Sequence, residues 1–123
     1  MVIADDHEAT LSAITRLLEP EVNVVGTAKN GKEAVDATTL LQPDVVVLDI
    51  EMPIMNGIEA ARAILSSNSA ARIVFITADA DPYVVEAAQG LGAVGFVVKS
   101  RAVLDLAYAI RLAMVGQSFV SPT

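Results

Sequence analysis

Five polar residues stand where apolar runs stop: Asp5 and Asp6 after residues 2–4, Asp49 after 45–48, Thr77 after 73–76 and Lys99 after 96–98. Burying a lone carboxylate costs several kcal/mol unless something pairs with it. Three carboxylates brought close together repel each other until a cation joins them. Hard oxygen ligands, without a His or Cys cluster, suit Mg2+ best, and Mg2+ keeps waters and commonly bridges carboxylates to a phosphate. A lysine and a hydroxyl are the groups to set around the remaining phosphate oxygens. The set is therefore suited to handling a phosphoryl group, with a carboxylate as the acceptor. For one acid, helix capping or strand termination is the simpler account; for five polar groups at strand ends it is the lesser one. His7 follows the acid pair directly, but a lone histidine at a helix start is expected to be solvated rather than a ligand.

The elements that must position these residues are written in the hydrophobic pattern. Short apolar runs at 2–4, 22–28, 44–49, 72–77 and 94–99 alternate with segments of helical period. Leu11, Ile14, Leu17 and Leu18 mark one face of a first helix before Pro20, and residues 30–41 and 57–65 form the next two. Residues 81–92 carry a capping Asp, a proline at the first position and closing glycines. Val103, Ala107, Ile110 and Met114 give the last helix its inner face. Strand–helix units with short links imply an α/β, doubly wound parallel sheet covered on both faces. In such sheets ligands bind beyond the carboxyl ends of the strands, where strand order reverses. The five polar residues share that edge. Residues 1–116 are expected to form one domain, and the small, polar 117–123 the start of a linker or a C-terminal tail.

The totals narrow the function. A chain of 123 residues with 54% hydrophobic content buries a core without staples. Cysteine is absent, which excludes disulfides and thiolate metal sites. No apolar run approaches the ~20 residues of a membrane helix. The start, MVIADDHE, lacks the basic flank of a signal peptide, so a cytoplasmic domain is expected. The net charge of −7, with only eight basic residues scattered along the chain, argues against nucleic-acid binding by this chain itself.

Asp5–Asp6, Asp49, Met52–Pro53, Gly57, Thr77–Ala78 and Phe96-Val97-Val98-Lys99, in this order and at these spacings, resemble the receiver domain of bacterial two-component response regulators. The likeness covers essentially the whole chain. It implies a flavodoxin-like (βα)5 sandwich with strand order 2-1-3-4-5. It implies a sensor histidine kinase as partner, donating a phosphoryl group to Asp49. Mg2+ would be held by the carboxylates of Asp6 and Asp49 and the backbone carbonyl of Glu51, with Asp5 acting mainly through a metal-bound water. Thr77 and Lys99 would contact the phosphoryl oxygens, and Ala78 would leave room for them. Phe96 stands where an aromatic rotates inward as Thr77 moves towards the phosphate. The output would be a shifted two-state equilibrium, often with homodimerisation, and no catalysis beyond the chain's own phosphorylation and dephosphorylation.

Residues 4–8 (ADDHE), Lys99–Ser100 and residues 119–123 (FVSPT) are similar to the NarL/FixJ-like subfamily, whose receivers precede a LuxR-type helix-turn-helix domain. That likeness implies transcription as the output, through a DNA-binding domain outside this chain; a stand-alone receiver acting by protein contact is the alternative. Many receivers place proline after the lysine and form a cis bond. Ser100 occupies that position here, and a cis bond is still expected despite its cost of ~3–4 kcal/mol. Glu51 and Asp79 flank the path of water to an acyl phosphate and are expected to set its lifetime; unchanged dephosphorylation of both Ala variants would rule this out. A phosphatase of the haloacid dehalogenase type also uses a strand-end Asp with Mg2+, but needs a second Asp where this chain has Glu51.

Overall fold

The computed structural model describes residues 1–78, 81–93 and 95–122. Strands β1 (Val2–Ala4), β3 (Val45–Asp49) and β4 (Arg72–Thr77) are aliphatic runs, buried almost throughout, as central strands require. With β2 (Gly26–Ala28), β5 (Gly95–Val98) and β6 (Phe119–Val120) they form one parallel sheet of order β2-β1-β3-β4-β5-β6. The expected order 2-1-3-4-5 is present, with β6 added at one edge. Strand order reverses between β1 and β3, and both strands end in acids at that point.

Helices cover both faces. On one side α2 (Gly31–Leu41), α3 (Gly57–Ser67) and α4 (Pro82–Gly90) bury Ala34, Ala60, Ala61, Ile64 and Ala88 against Val2, Val46, Leu48 and Phe75. On the other, α1 (Glu8–Leu18) and α5 (Ala102–Met114) bury Leu11, Ile14, Leu18, Leu106, Ala109 and Ile110 against Ile3, Val47, Val74 and Val97. Three helix starts are fixed by side-chain caps. Asn30 accepts from the Glu33 N–H, Asn56 and Glu59 cap each other reciprocally, and Asp81 accepts from the Tyr83 N–H with Pro82 in the first turn. Each cap contributes about 1 kcal/mol.

Three expectations are corrected. The second strand starts at Gly26 rather than residue 22, because its pairing partner, β1, spans only Val2–Ala4. The buried face of α5 is Leu106, Ala109, Ile110 and Ala113, while Val103 is 78% exposed. This helix is apolar on several sides, so periodicity left its rotation open; contacts to the sheet set it. The Lys99–Ser100 bond is trans, as no cis bond occurs among the described residues. Without a proline to lower the cost, the trans form wins, and the chain leaves β5 through a 3-10 turn at Lys99–Arg101.

The segment after Gly116 is held against the sheet at residues 119–121. The Ser121 N–H donates to the Phe96 carbonyl at 2.8 Å, and the Val98 N–H donates to Ser121 Oγ at 3.2 Å. Ser121 Oγ in turn donates to Asp105 Oδ2 at 2.8 Å, an oxygen that Arg101 Nε also meets at 2.8 Å. Phe119 stacks edge-on against Tyr108, their ring centres 5.5 Å apart. Val94, expected to open β5, lies outside the described residues. No helix among the described residues is long and apolar enough to cross a membrane.

Candidate functional site

The carboxyl edge of the sheet brings Asp5, Asp6, Asp49 and Lys99 together. Asp5 follows β1 with its side chain fully buried, and its Oδ1 accepts the His7 backbone N–H at 2.9 Å. Asp49 is the last residue of β3 and is 2% exposed. Lys99 reaches back from the end of β5 and bridges both acids, its Nζ lying 2.9 Å from Asp5 Oδ2 and 3.1 Å from Asp49 Oδ2. A cleft of about 510 Å3 opens over them, bounded by Asp6, Glu51, Pro53 and Ala78.

The β3–α3 connection holds Asp49 in place. Gly57 opens α3 against the Asp49 backbone, where an added Cβ would meet the Asp49 carbonyl oxygen at 2.2 Å. Its N–H donates to the Ile50 carbonyl at 2.8 Å. The Met55 N–H donates to the Pro53 carbonyl at 2.7 Å across Ile54, whose φ is 69°. This tight three-residue turn folds the loop back beside the cleft. The Glu51 N–H donates to Asp49 Oδ1 at 3.3 Å.

Burial is the largest influence on Asp49 and pushes its carboxyl up; the Lys99 hydrogen bond pulls it down, the Asp5 charge pushes it up again, and it settles at about 6. Burial alone would lower the Lys99 ammonium, but its contacts with Asp5 and Asp49 outweigh that and hold it above its ordinary value. One ammonium thus faces three carboxylates. Asp6 Oδ1 is buried and accepts no hydrogen bond. Surplus negative charge and an oxygen without a donor fit a divalent cation, and oxygen donors of this kind suit Mg2+.

Thr77 ends β4 one register step beyond Asp49, whose partner is Ile76, and is 2% exposed. Phe96 lies on β5, three residues before Lys99, and is buried in the same core layer as Phe75 and Ala88. Asp79 lies outside the described residues. His7, expected to stand apart in solvent, is exposed over most of its surface yet places Nδ1 3.1 Å from Asp6 Oδ1. Its position beside two acids is the sequence signal for this placement. Gly57 is a mark of the family resemblance but not of its contact with the Asp49 backbone, and the Asp105–Ser121 contact, across 16 residues, carries no local signal.

The sequence profile described as the response regulator receiver domain matches residues 1–111. The response regulator GacA of Pseudomonas viridiflava is 35% identical over 125 residues, covering 99% of this chain and 58% of GacA. The transcriptional regulatory protein YvfU of Bacillus subtilis is 36% identical over 124 residues, with 99% and 62% covered. The chain therefore spans about three-fifths of the length of these relatives. Among solved structures, the receiver domain of the response regulator NarL from Mycobacterium tuberculosis superposes with a TM-score of 0.89 at 33% identity, covering 94% of this chain and 95% of that one. A LuxR-family two-component response regulator from Aurantimonas gives 0.92 at 32% identity, with 98% and 86% covered.

Proposed function

The chain belongs to the response regulator receiver domain family, and from that premise we propose that it is a switch thrown by phosphorylation of Asp49. The observation that carries this reading is the convergence of Asp5, Asp6, Asp49 and Lys99 around one open cleft at the strand ends. A sensor histidine kinase supplies the phosphoryl group. Its phosphorus–nitrogen bond breaks as an Asp49 carboxylate oxygen forms the new phosphorus–oxygen bond, and the imidazole leaves with the electron pair.

Asp6, Asp49 and the Glu51 carbonyl would hold Mg2+, with Asp5 reaching it through water, and Mg2+ when bound neutralises charge on the phosphoryl oxygens. The protein's remaining work is placement and charge. Lys99 already touches Asp49 Oδ2 and follows the negative charge onto the phosphoryl group. The Thr77 hydroxyl approaches the same oxygens, and the small Ala78 leaves them room. Phe96 is the side chain whose packing responds to Thr77. Glu51 and Asp79 govern access of water to the acyl phosphate, and so its lifetime.

Phosphorylation promotes pairing of two copies, for which Val103 and Leu104, both open to solvent on α5, supply apolar surface. The length and names of the relatives support transcription as the output of a longer protein, with DNA contacted outside this chain. The test is beryllofluoride, a mimic of the acyl phosphate. With Mg2+ it should shift the amide signals of Thr77, Phe96 and Lys99 and raise the sedimentation coefficient. Neither change should occur without Mg2+ or in Asp49→Asn; shifts that persist in Asp49→Asn would overturn the assignment.

A further inference from the structure

We infer that His7 is a nitrogen donor to the metal held at this edge, and that it tips the site towards Mn2+ relative to Mg2+. The inference rests on the metal-binding part of the proposed function. His7 occupies the N-cap of α1, a position where Ser, Thr, Asp or Asn normally accepts a hydrogen bond from the first turn. Its imidazole makes no such bond. The backbone is instead locked by its N–H on Asp5 Oδ1 at 2.9 Å, which leaves the ring directed at the acids.

The ring's Nδ1 lies 3.1 Å from Asp6 Oδ1 and 3.5 Å from Asp5 Oδ1. The shorter contact is an ion pair when the ring is protonated, and the neutral ring can offer its Nδ1 lone pair at the same point. With the ring neutral, Nδ1 and Asp6 Oδ1 both offer lone pairs to a cation seated between them. Neighbouring ligands in an octahedron with bonds of ~2.1 Å stand about 3.0 Å apart, so the separation of Nδ1 and Oδ1 matches one edge of such a polyhedron. Donor atoms from Asp5, Asp6, His7 and Asp49 all lie within 4.8 Å of one another.

The nitrogen changes the preference of the site. Mg2+ takes oxygen ligands and gives up water reluctantly, whereas first-row transition ions accept imidazole readily. With the all-oxygen set of Asp6, Asp49 and the Glu51 carbonyl, the remaining positions would be waters for either ion. With His7 in reach, Mn2+ gains an imidazole that Mg2+ does not favour. The ring is 69% exposed, so it can swing onto the ion without disturbing the core.

His7 is the chain's single histidine, so histidine labelled with 15N reports on it alone. Untagged protein loaded with Mn2+ and examined by pulsed electron paramagnetic resonance should show a directly bound imidazole nitrogen. The signal should change from the 14N to the 15N pattern on labelling, and vanish in His7→Gln and His7→Ala. Both variants should still bind Mn2+, with the Mn2+ to Mg2+ affinity ratio lowered roughly tenfold in competition titrations. Bound Mn2+ without nitrogen coupling in the wild type, or an unchanged ratio in the variants, would overturn the inference. No bound Mn2+ in the wild type at all would overturn the metal-site reading and this inference with it.

Discussion

At Asp49, burial and the neighbouring ammonium pull in opposite directions, and burial prevails. Its carboxyl titrates at about 6, above the 3.8 of an unfolded chain. Between those values the folded protein holds a proton that the unfolded chain has lost. Stability therefore falls as pH rises through the window, then levels once both states are ionised. Asp49→Asn removes this liability while Lys99 keeps Asp5 as its partner. Without Mg2+ at pH 8, the variant should melt several degrees above the wild type, at about 4 °C per kcal/mol for a domain of this size. The gap should narrow as the pH is lowered from about 6 to about 4, and Mg2+ should raise the wild type but not the variant. Scanning calorimetry across that range decides it; a variant less stable than the wild type at pH 8 would contradict the account. The acids and Lys99 were legible in the sequence because a polar residue ending an apolar run has its position fixed by the strand. The closeness of the His7 ring to Asp6 was signalled by its place after two acids, but the backbone hydrogen bond to Asp5 that holds its backbone was not.

Local contacts fix the ends of some elements. Gly57 lets α3 start against the Asp49 backbone, and any side chain there drives Asp49 outward. Gly57→Ala should slow acetyl phosphate labelling about a hundredfold, the cost of misplacing a reacting group by ~1 Å. The helix itself should persist, because Asn56 and Glu59 still cap it. Circular dichroism would show the retained helix, and labelling at the wild-type rate would contradict the role given to Gly57. At the far edge, Ser121 closes the sheet by accepting from Val98 and donating to Asp105. Ser121→Ala leaves the partly buried Val98 N–H without its acceptor and removes the hydroxyl donor to the Asp105 carboxylate, and should cost about 1–3 kcal/mol in urea unfolding at pH 7; no loss would show that β6 carries little of the stability. The Arg101 hydrogen bond, aided by Ser121, holds the Asp105 carboxyl below its ordinary value. Its contribution is thus present above the ordinary carboxylate range of about 4 and fades as the pH falls through and below it. Strand–helix alternation was readable because length and period differ sharply between the two. The rotation of α5 and the pairing of β6 were not, since the first needs the sheet to choose among apolar faces and the second joins Ser121 to residues 16 to 25 positions away.

Across the whole molecule, parallel strands deliver their carboxyl ends to one side, so residues 5, 6, 49 and 99 meet although the chain separates them widely. That convergence follows from topology, and topology followed from the alternation of elements together with the family likeness. The helical faces left open, such as Val103 and Leu104, are where pairing would occur, and they lie on the helix that follows Lys99 directly. On the proposed reading, this edge accepts one phosphoryl group on Asp49 with a divalent cation present. Intact-mass spectrometry after incubation with acetyl phosphate tests it most directly, on the wild type and on Asp49→Asn, each with and without Mg2+. A single added phosphoryl group should be seen only for the wild type with Mg2+. No adduct on the wild type, or an equal adduct on Asp49→Asn, would contradict it.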